Sequence, residues 1–231
     1  MSMTVIDTKL RHEWKHIITP ADKAEIMARL DVIATPDPHY GDKPYHIRSL
    51  YFDNPYDKAL QERLNGMEVR EKFRIRFYNM DDSYIMLEKK CKFNGLCGKK
   101  SARVTREQCD RLLAGDIDWL MKTGNPLCAE LYAKMKAQLL RPRVIVDYQR
   151  KAYVYAPGNV RVTLDYDIRT GLDSIAMFDD VVTIPADITN PIVLEVKYDN
   201  FFPTLIRDAV QLRHRRTSSF SKYTVCRLTN Y

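Results

Sequence analysis

Polar and apolar positions alternate over long stretches of this chain. The clearest stretch runs from Arg70 to Lys92, REKFRIRFYNMDDSYIMLEKKCK. Arg70, Lys72, Arg74 and Arg76 take every second position, with Glu71, Phe73, Ile75 and Phe77 between them. Successive side chains of an extended strand point to opposite faces, so the four cations share one face. After a turn over Asn79-Met80-Asp81-Asp82-Ser83, Tyr84 to Lys92 repeats the device. Glu88, Lys90 and Lys92 have one parity there, and Ile85, Leu87 and Lys89 the other. The two halves predict a hairpin with one strongly charged face and one apolar face.

Similar patterns recur. Lys9 to Ile18 carries Arg11, Glu13 and Lys15 on one parity, with Leu10, Trp14 and Ile18 opposite. Tyr45 to Asp53, YHIRSLYFD, is rich in the aromatic and β-branched residues that strands favour. PRVIVDYQRKAYVY, NVRVTLDYDIRTG and PIVLEVKYD read as three further strands. Arg161, Thr163, Asp165 and Asp167 share a face in the second, and Glu195 and Lys197 in the third.

Helical signals lie between the strands. Thr19-Pro20 opens a helix with Ile26, Met27 and Leu30 on its apolar side, ending before Pro36-Asp37-Pro38. Asp57 to Leu64 forms a second, closed by Asn65-Gly66, a pair suited to a left-handed cap. Thr105 with Gln108 makes a capping box for a third, which stops at Ala114-Gly115, and a longer helix runs from Leu127 to Leu140. A last one starts at Pro203, with Leu205, Ile206, Ala209, Val210 and Leu212 as its stripe. GLCGKKS, Gly95 to Ser101, has the wrong glycine spacing for a phosphate-binding P-loop and reads as a turn leading to a short strand around Arg103-Val104.

Composition narrows the class. The 231 residues are 45% hydrophobic, enough for one packed domain across 1–231. No apolar run is long enough to span a bilayer and no secretory signal is evident, so a soluble cytoplasmic protein without a membrane segment of its own is expected. Five scattered cysteines, Cys91, Cys97, Cys109, Cys128 and Cys226, form no C-x-x-C pair and indicate neither disulfides nor zinc. His12 and His16 make a poor metal pair on a strand. A formal charge of +7 favours anionic partners.

Antiparallel strands with polar inward faces, separated by short helices, predict an α+β fold in which a closed barrel holds ligand in its lumen. A lumen lined by many cations calls for a bound polyanion to relieve their repulsion. R-x-E-x-K at Arg11 to Lys15, SLYFDN at Ser49 to Asn54, the R-x-K-x-R-x-R-x-Y comb ending at Tyr78, L-E-K-K at Leu87 to Lys90, Y-x-R at Tyr148 to Arg150, R-V-T-L-D at Arg161 to Asp165, L-E-V-K-Y at Leu194 to Tyr198 and F-S-K-Y at Phe220 to Tyr223 occur in that order. Together they resemble the polyphosphate polymerase domain of the vacuolar transporter chaperone (VTC) group, within the triphosphate tunnel metalloenzymes.

That resemblance implies an eight-stranded antiparallel β-barrel with flanking helices, binding ATP or another nucleoside triphosphate and passing its γ-phosphoryl group to inorganic polyphosphate. It implies phosphate-binding catalytic roles for Lys15, Arg74, Arg76, Lys90, Arg150, Arg161 and Lys222; parity and neighbouring charges add Arg48, Lys72 and Lys197 as candidate substrate contacts. Glu195 is the implied ligand of Mn²⁺ or Mg²⁺; Glu13, Glu88 and Asp165 are either further metal carboxylates or ion-pair partners of their neighbours. His16 departs from the aromatic residue common after the first lysine of the family. A triphosphatase, a tripolyphosphatase or a nucleotidyl cyclase would use the same cations and differ in the attacking nucleophile. A non-catalytic polyanion- or RNA-binding module would need Phe73, Phe77 and Tyr78 beside the cations, whereas Phe73 and Phe77 have the opposite parity, and no specific nucleic acid is expected.

Overall fold

The charged hairpin sets the architecture. The computed structural model describes residues 9–38, 41–212 and 217–229. Its strands are β1 (His12–Ile18), β2 (Thr35–Pro36), β3 (Tyr45–Asp53), β4 (Arg70–Tyr78), β5 (Asp81–Phe93), β6 (Leu96–Val104), β7 (Arg141–Tyr155), β8 (Val160–Thr170), β9 (Ile184–Pro185) and β10 (Ile192–Tyr198). Its helices are α1 (Pro20–Ile33), α2 (Lys58–Leu64), α3 (Arg106–Leu113), α4 (Trp119–Lys122), α5 (Pro126–Gln138), α6 (Thr204–Val210) and α7 (Lys222–Leu228).

Every ladder is antiparallel, and eight strands follow in the order β1-β10-β8-β7-β3-β4-β5-β6. The sheet curls until its two edge strands approach at one pair. There the Arg11 N–H donates to the Cys97 carbonyl and the Cys97 N–H to the Arg11 carbonyl, each at 2.9 Å. The α+β expectation holds. In place of the expected fully laddered barrel, the described residues show a curled sheet whose edges share this single bridge.

Local chemistry explains the strand boundaries. Asn79 and Met80 both have positive φ, 51° and 57°, the pattern of a two-residue turn whose twist matches that of its strands. The turn is therefore shorter than the five residues expected, and β5 begins at Asp81. Asn94 and Gly95 repeat the device, at φ 46° and 85°. The segment read as a turn before Arg103 is accordingly a nine-residue strand, β6. Asp167, at φ 50°, lies where the β7–β8 register shifts. This bulge turns its half-exposed side chain away from the face of Asp165, correcting the parity expected there.

Capping fixes the helices. Thr19 and Asp22 form a capping box at α1, and Thr105 and Gln108 form the expected one at α3. The Asp53 carboxylate ends β3 and accepts from the Ala59 and Leu60 N–H groups in the first turn of α2. The helices α4 and α7, of four and seven residues, are too short to carry a periodic signal in the sequence.

The helices cover the sheet as its apolar parities require. Phe73, Ile75, Phe77, Ile85 and Leu87 pack with Leu112, Leu120, Leu127 and Leu131 from α3, α4 and α5. Val162, Leu164, Leu194 and Val196 pack with Ile26 and Leu30 of α1 and Ile206, Ala209 and Val210 of α6. Leu205, expected in that stripe, is half-exposed instead. A third cluster lies on the cation-bearing side, where Tyr223 and Cys226 of α7 join Tyr51, Val144, Val146 and Tyr148. The C-terminal helix thus packs against the inner face and brings Lys222 to it.

Candidate functional site

The inner face encloses a cavity of about 500 Å³ lined, among the described residues, by fifteen Lys and Arg side chains and three carboxylates. An excess of that size in one enclosure selects for a polyanion. Lys15, Lys72, Arg74, Arg76, Lys90, Arg150, Arg161, Lys197, Lys222, Glu13 and Glu195 all line it. The β4 comb forms one wall.

Strand register determines the charge pairing. Arg74 lies opposite Glu88, Arg150 opposite Asp165, and Lys15 opposite Glu195. The Arg74 Nε donates to Glu88 Oε2 at 2.7 Å, while Lys99 Nζ holds Oε1 at 2.8 Å. The Arg150 guanidinium grips Asp165 with two bonds of 2.6 and 2.7 Å, and Lys222 Nζ adds a third contact at 2.5 Å. Glu88 and Asp165 are buried beneath these cations. They act as ion-pair partners that aim the cations, and neither lines the cavity.

Burial raises the pKa of both carboxyls, but the cations outweigh it. Arg74, Arg76 and Lys99 hold Glu88 well below the usual carboxylate range. Arg150 and Lys222 bring Asp165 down to about 2. Burial lowers the pKa of the Arg74 and Arg150 guanidinium groups, yet Glu88 and Asp165 push them well above the ordinary value. These cations are permanent charges.

Glu13 and Glu195 form the acidic floor of the cavity. Lys15 Nζ lies 3.1 Å from Glu13 Oε2 and 3.3 Å from Glu195 Oε2. Lys197 Nζ bridges the same carboxylates at 3.6 and 2.8 Å, and Lys90 reaches Glu13 at 2.7 Å. Burial and the neighbouring Glu195 oppose ionisation of Glu13; Lys90, Lys15 and Lys197 overcome both and hold its pKa well below the usual range. Glu195 is buried too, but Lys197, Lys15 and Lys90 hold its pKa down. Among the described residues no three His, Cys, Asp or Glu side chains cluster as a metal site. Two adjacent ionised carboxylates that leave further positions to phosphate oxygens and water do fit a hard divalent cation. The buried Thr163 hydroxyl, opposite Glu195 in the β10–β8 ladder, has no hydrogen-bond partner among the described residues.

Several lining residues carried no assignment from the sequence. The Tyr148 hydroxyl accepts from Arg76 Nη2 at 2.8 Å, and its ring lies beneath Lys222 and Arg150, 4.7 and 5.3 Å from the centroid. The Tyr51 hydroxyl accepts from Arg74 Nη1 at 2.7 Å, and Ser221 accepts from Lys72 Nζ at 3.3 Å. Tyr51, Tyr148 and Ser221 sit inside motifs quoted above. Lys99 lies on β6, in the segment whose sequence reads as a turn.

Arg48 is placed elsewhere. It is buried, bound to Asp147 through Nε and Nη2 and to the carbonyl of Asp179, and it does not line the cavity. Both faces of β3 are buried, so parity alone could not say which face looks inward.

A model of the VTC domain family matches residues 10–231. The chain belongs to the VTC domain family. Comparison with curated proteins finds no match. Among solved structures, this VTC domain is similar to a Hippeastrum protein described as a candidate adenylyl cyclase with a dominant triphosphatase activity. The two are 13% identical, with 94% of each chain covered and a TM-score of 0.56. It is also similar to a candidate adenylate cyclase from Vibrio parahaemolyticus, 9% identical, covering 95% of this chain and 98% of that one at a TM-score of 0.50. These likenesses show that the chain shares its fold with these two proteins. No helix among the described residues is long and apolar enough to cross a membrane.

Proposed function

We propose that this VTC domain is a metal-dependent polyphosphate polymerase that transfers the γ-phosphoryl group of ATP, or of another nucleoside triphosphate, to a growing polyphosphate chain. The observation that carries the reading is the division of the cavity between the Arg74–Arg76–Arg150–Lys222 wall and the Glu13–Glu195 floor. Phosphoryl transfer needs in-line positioning and neutralised oxygens more than a protein nucleophile. The arginines give bidentate, permanently charged contacts to phosphate, and the lysines act as point charges. Glu195 and Glu13 would hold Mn²⁺ or Mg²⁺, which when bound neutralises charge on the phosphates. The Arg11–Cys97 bridge supports a closed tunnel around these groups. The cations Lys15, Lys90, Arg161 and Lys197 complete the substrate contacts, whereas Arg48 holds the outer wall together. One single domain over residues 1–231 suffices for this site.

The family match favours the polymerase over its relatives. Hydrolysis of triphosphate is the second reading, favoured by the triphosphatase activity named for the Hippeastrum protein of the same fold. Incubation with ATP and Mn²⁺, with and without chelator, separates them: metal-dependent formation of ADP and polymer supports the polymerase, and orthophosphate alone supports the hydrolase.

A further inference from the structure

One row of side chains crosses four strands. Lys15 of β1, Glu195 of β10, Thr163 of β8 and Ala152 of β7 are successive partners in the antiparallel ladders. Directly opposite residues share a face with their Cβ atoms about 5 Å apart, so the Thr163 side chain stands beside that of Glu195. The charged groups around it are all engaged. Lys15 faces one carboxylate oxygen of Glu195 at 3.3 Å and Lys197 the other at 2.8 Å. Along β8, Arg161 pairs with Asp37, and Asp165 with Arg150 and Lys222. Thr163 is 3% exposed, its hydroxyl has no partner among the described residues, and Ala152 on its other side offers only a methyl group.

A buried hydroxyl without a hydrogen bond costs stability, and most buried polar groups avoid that cost. Valine has nearly the same shape, suits a strand equally well and would remove the cost. The carboxylate beside Thr163, however, changes partners when the site fills. An ammonium group and a dication repel each other, so an ion at Glu13 and Glu195 displaces Lys15, which bridges the two. A carboxylate that ligates a metal is itself oriented by a hydrogen bond, and a neutral hydroxyl can donate it without repelling the ion.

We infer that Thr163 is a positioning residue for Glu195: its hydroxyl is idle in the empty site and donates to the Glu195 carboxylate in the loaded one, in place of Lys15. The inference rests on the proposed reading that Glu13 and Glu195 take a divalent cation. It makes the two states depend on one oxygen atom with opposite signs. Replacing that hydroxyl by a methyl group relieves the empty protein and weakens the loaded one.

The test compares wild type, Thr163→Val, Thr163→Ser and Glu195→Gln. Mn²⁺ is titrated into each protein and the free ion followed by electron paramagnetic resonance, and urea midpoints are measured in chelator. Thr163→Val is expected to bind Mn²⁺ about tenfold more weakly than wild type while its urea midpoint rises. Thr163→Ser keeps the hydroxyl and is expected to retain the affinity. A threonine that only packs would change the midpoint and leave Mn²⁺ affinity where it is. Wild type that takes up no Mn²⁺, or Glu195→Gln that takes it up as well as wild type, refutes the parent metal reading and the inference together. With Mn²⁺ bound through Glu195, a Thr163→Val affinity equal to wild type, or a Thr163→Ser affinity as weak as that of Thr163→Val, refutes the role of Thr163 alone. A lower urea midpoint for Thr163→Val in chelator would show that the hydroxyl is already satisfied in the empty protein, and would overturn its idle state.

Discussion

Lys15 lies directly opposite Glu195 in the β1–β10 ladder, and its ammonium is shared between Glu195 and Glu13 at 3.3 and 3.1 Å. One lysine therefore bridges the two carboxylates proposed to hold the divalent ion. Glu195→Gln keeps the size of the side chain and removes its charge. Metal-dependent turnover of ATP is expected to fall by about 10²–10³-fold, with polyphosphate binding largely retained. Unchanged turnover would take Glu195 out of the site.

Glu88 makes a different kind of contribution. It is buried and paired with Arg74 and Lys99, so removing it leaves a buried guanidinium without a counter-charge. Glu88→Ala is expected to cost about 3–5 kcal/mol, read as a lower urea midpoint. A loss below about 1 kcal/mol would show that water solvates the Arg74 head group.

Acid stability follows from the same pairs. Glu13, Glu88, Asp165 and Glu195 all have depressed folded-state pKa values. Their contribution is complete above the unfolded carboxylate values of about 4. Below that, the unfolded chain binds protons first, and the contribution is lost as the pH falls through the folded values, about 2 for Asp165. Urea midpoints are expected to fall steadily with acidification over this window, and Asp165→Asn to flatten the decline. A wild-type profile that is flat there would contradict the pairing.

Lys72 predicts proton linkage in binding. Burial and the neighbouring cations lower its pKa in the free protein, and a phosphate placed beside it raises the pKa again. Binding of polyphosphate therefore takes up a proton at a pH between the two values, and affinity weakens as the pH rises through that range. Calorimetry in buffers of different ionisation enthalpy measures the uptake, and Lys72→Met is expected to reduce it. Equal uptake in wild type and variant would assign the proton to another group.

The sequence revealed the site more readily than the sheet that holds it. The period-two comb of Arg70, Lys72, Arg74 and Arg76 is visible because exposed turns and apolar partners bracket it. Glu88 and Asp165 remained ambiguous between metal and ion-pair roles because cross-strand register depends on turn length, and the two-residue Asn79-Met80 turn was overestimated. Arg48, expected as a substrate contact, lies outside the cavity lining, because β3 is buried on both faces and offers no polar parity. The bulge at Asp167 reverses a side chain that simple alternation places inward. Lys222 was identified through its motif, but its seven-residue helix is too short to show a periodic stripe.

Phosphorus NMR of the purified protein with ATP and Mn²⁺ tests the central claim most directly. The polymerase account predicts growth of internal phosphate-chain resonances in step with ADP, and loss of both in Glu195→Gln. Orthophosphate accumulating without internal-chain signal would contradict it and assign the cavity to hydrolysis.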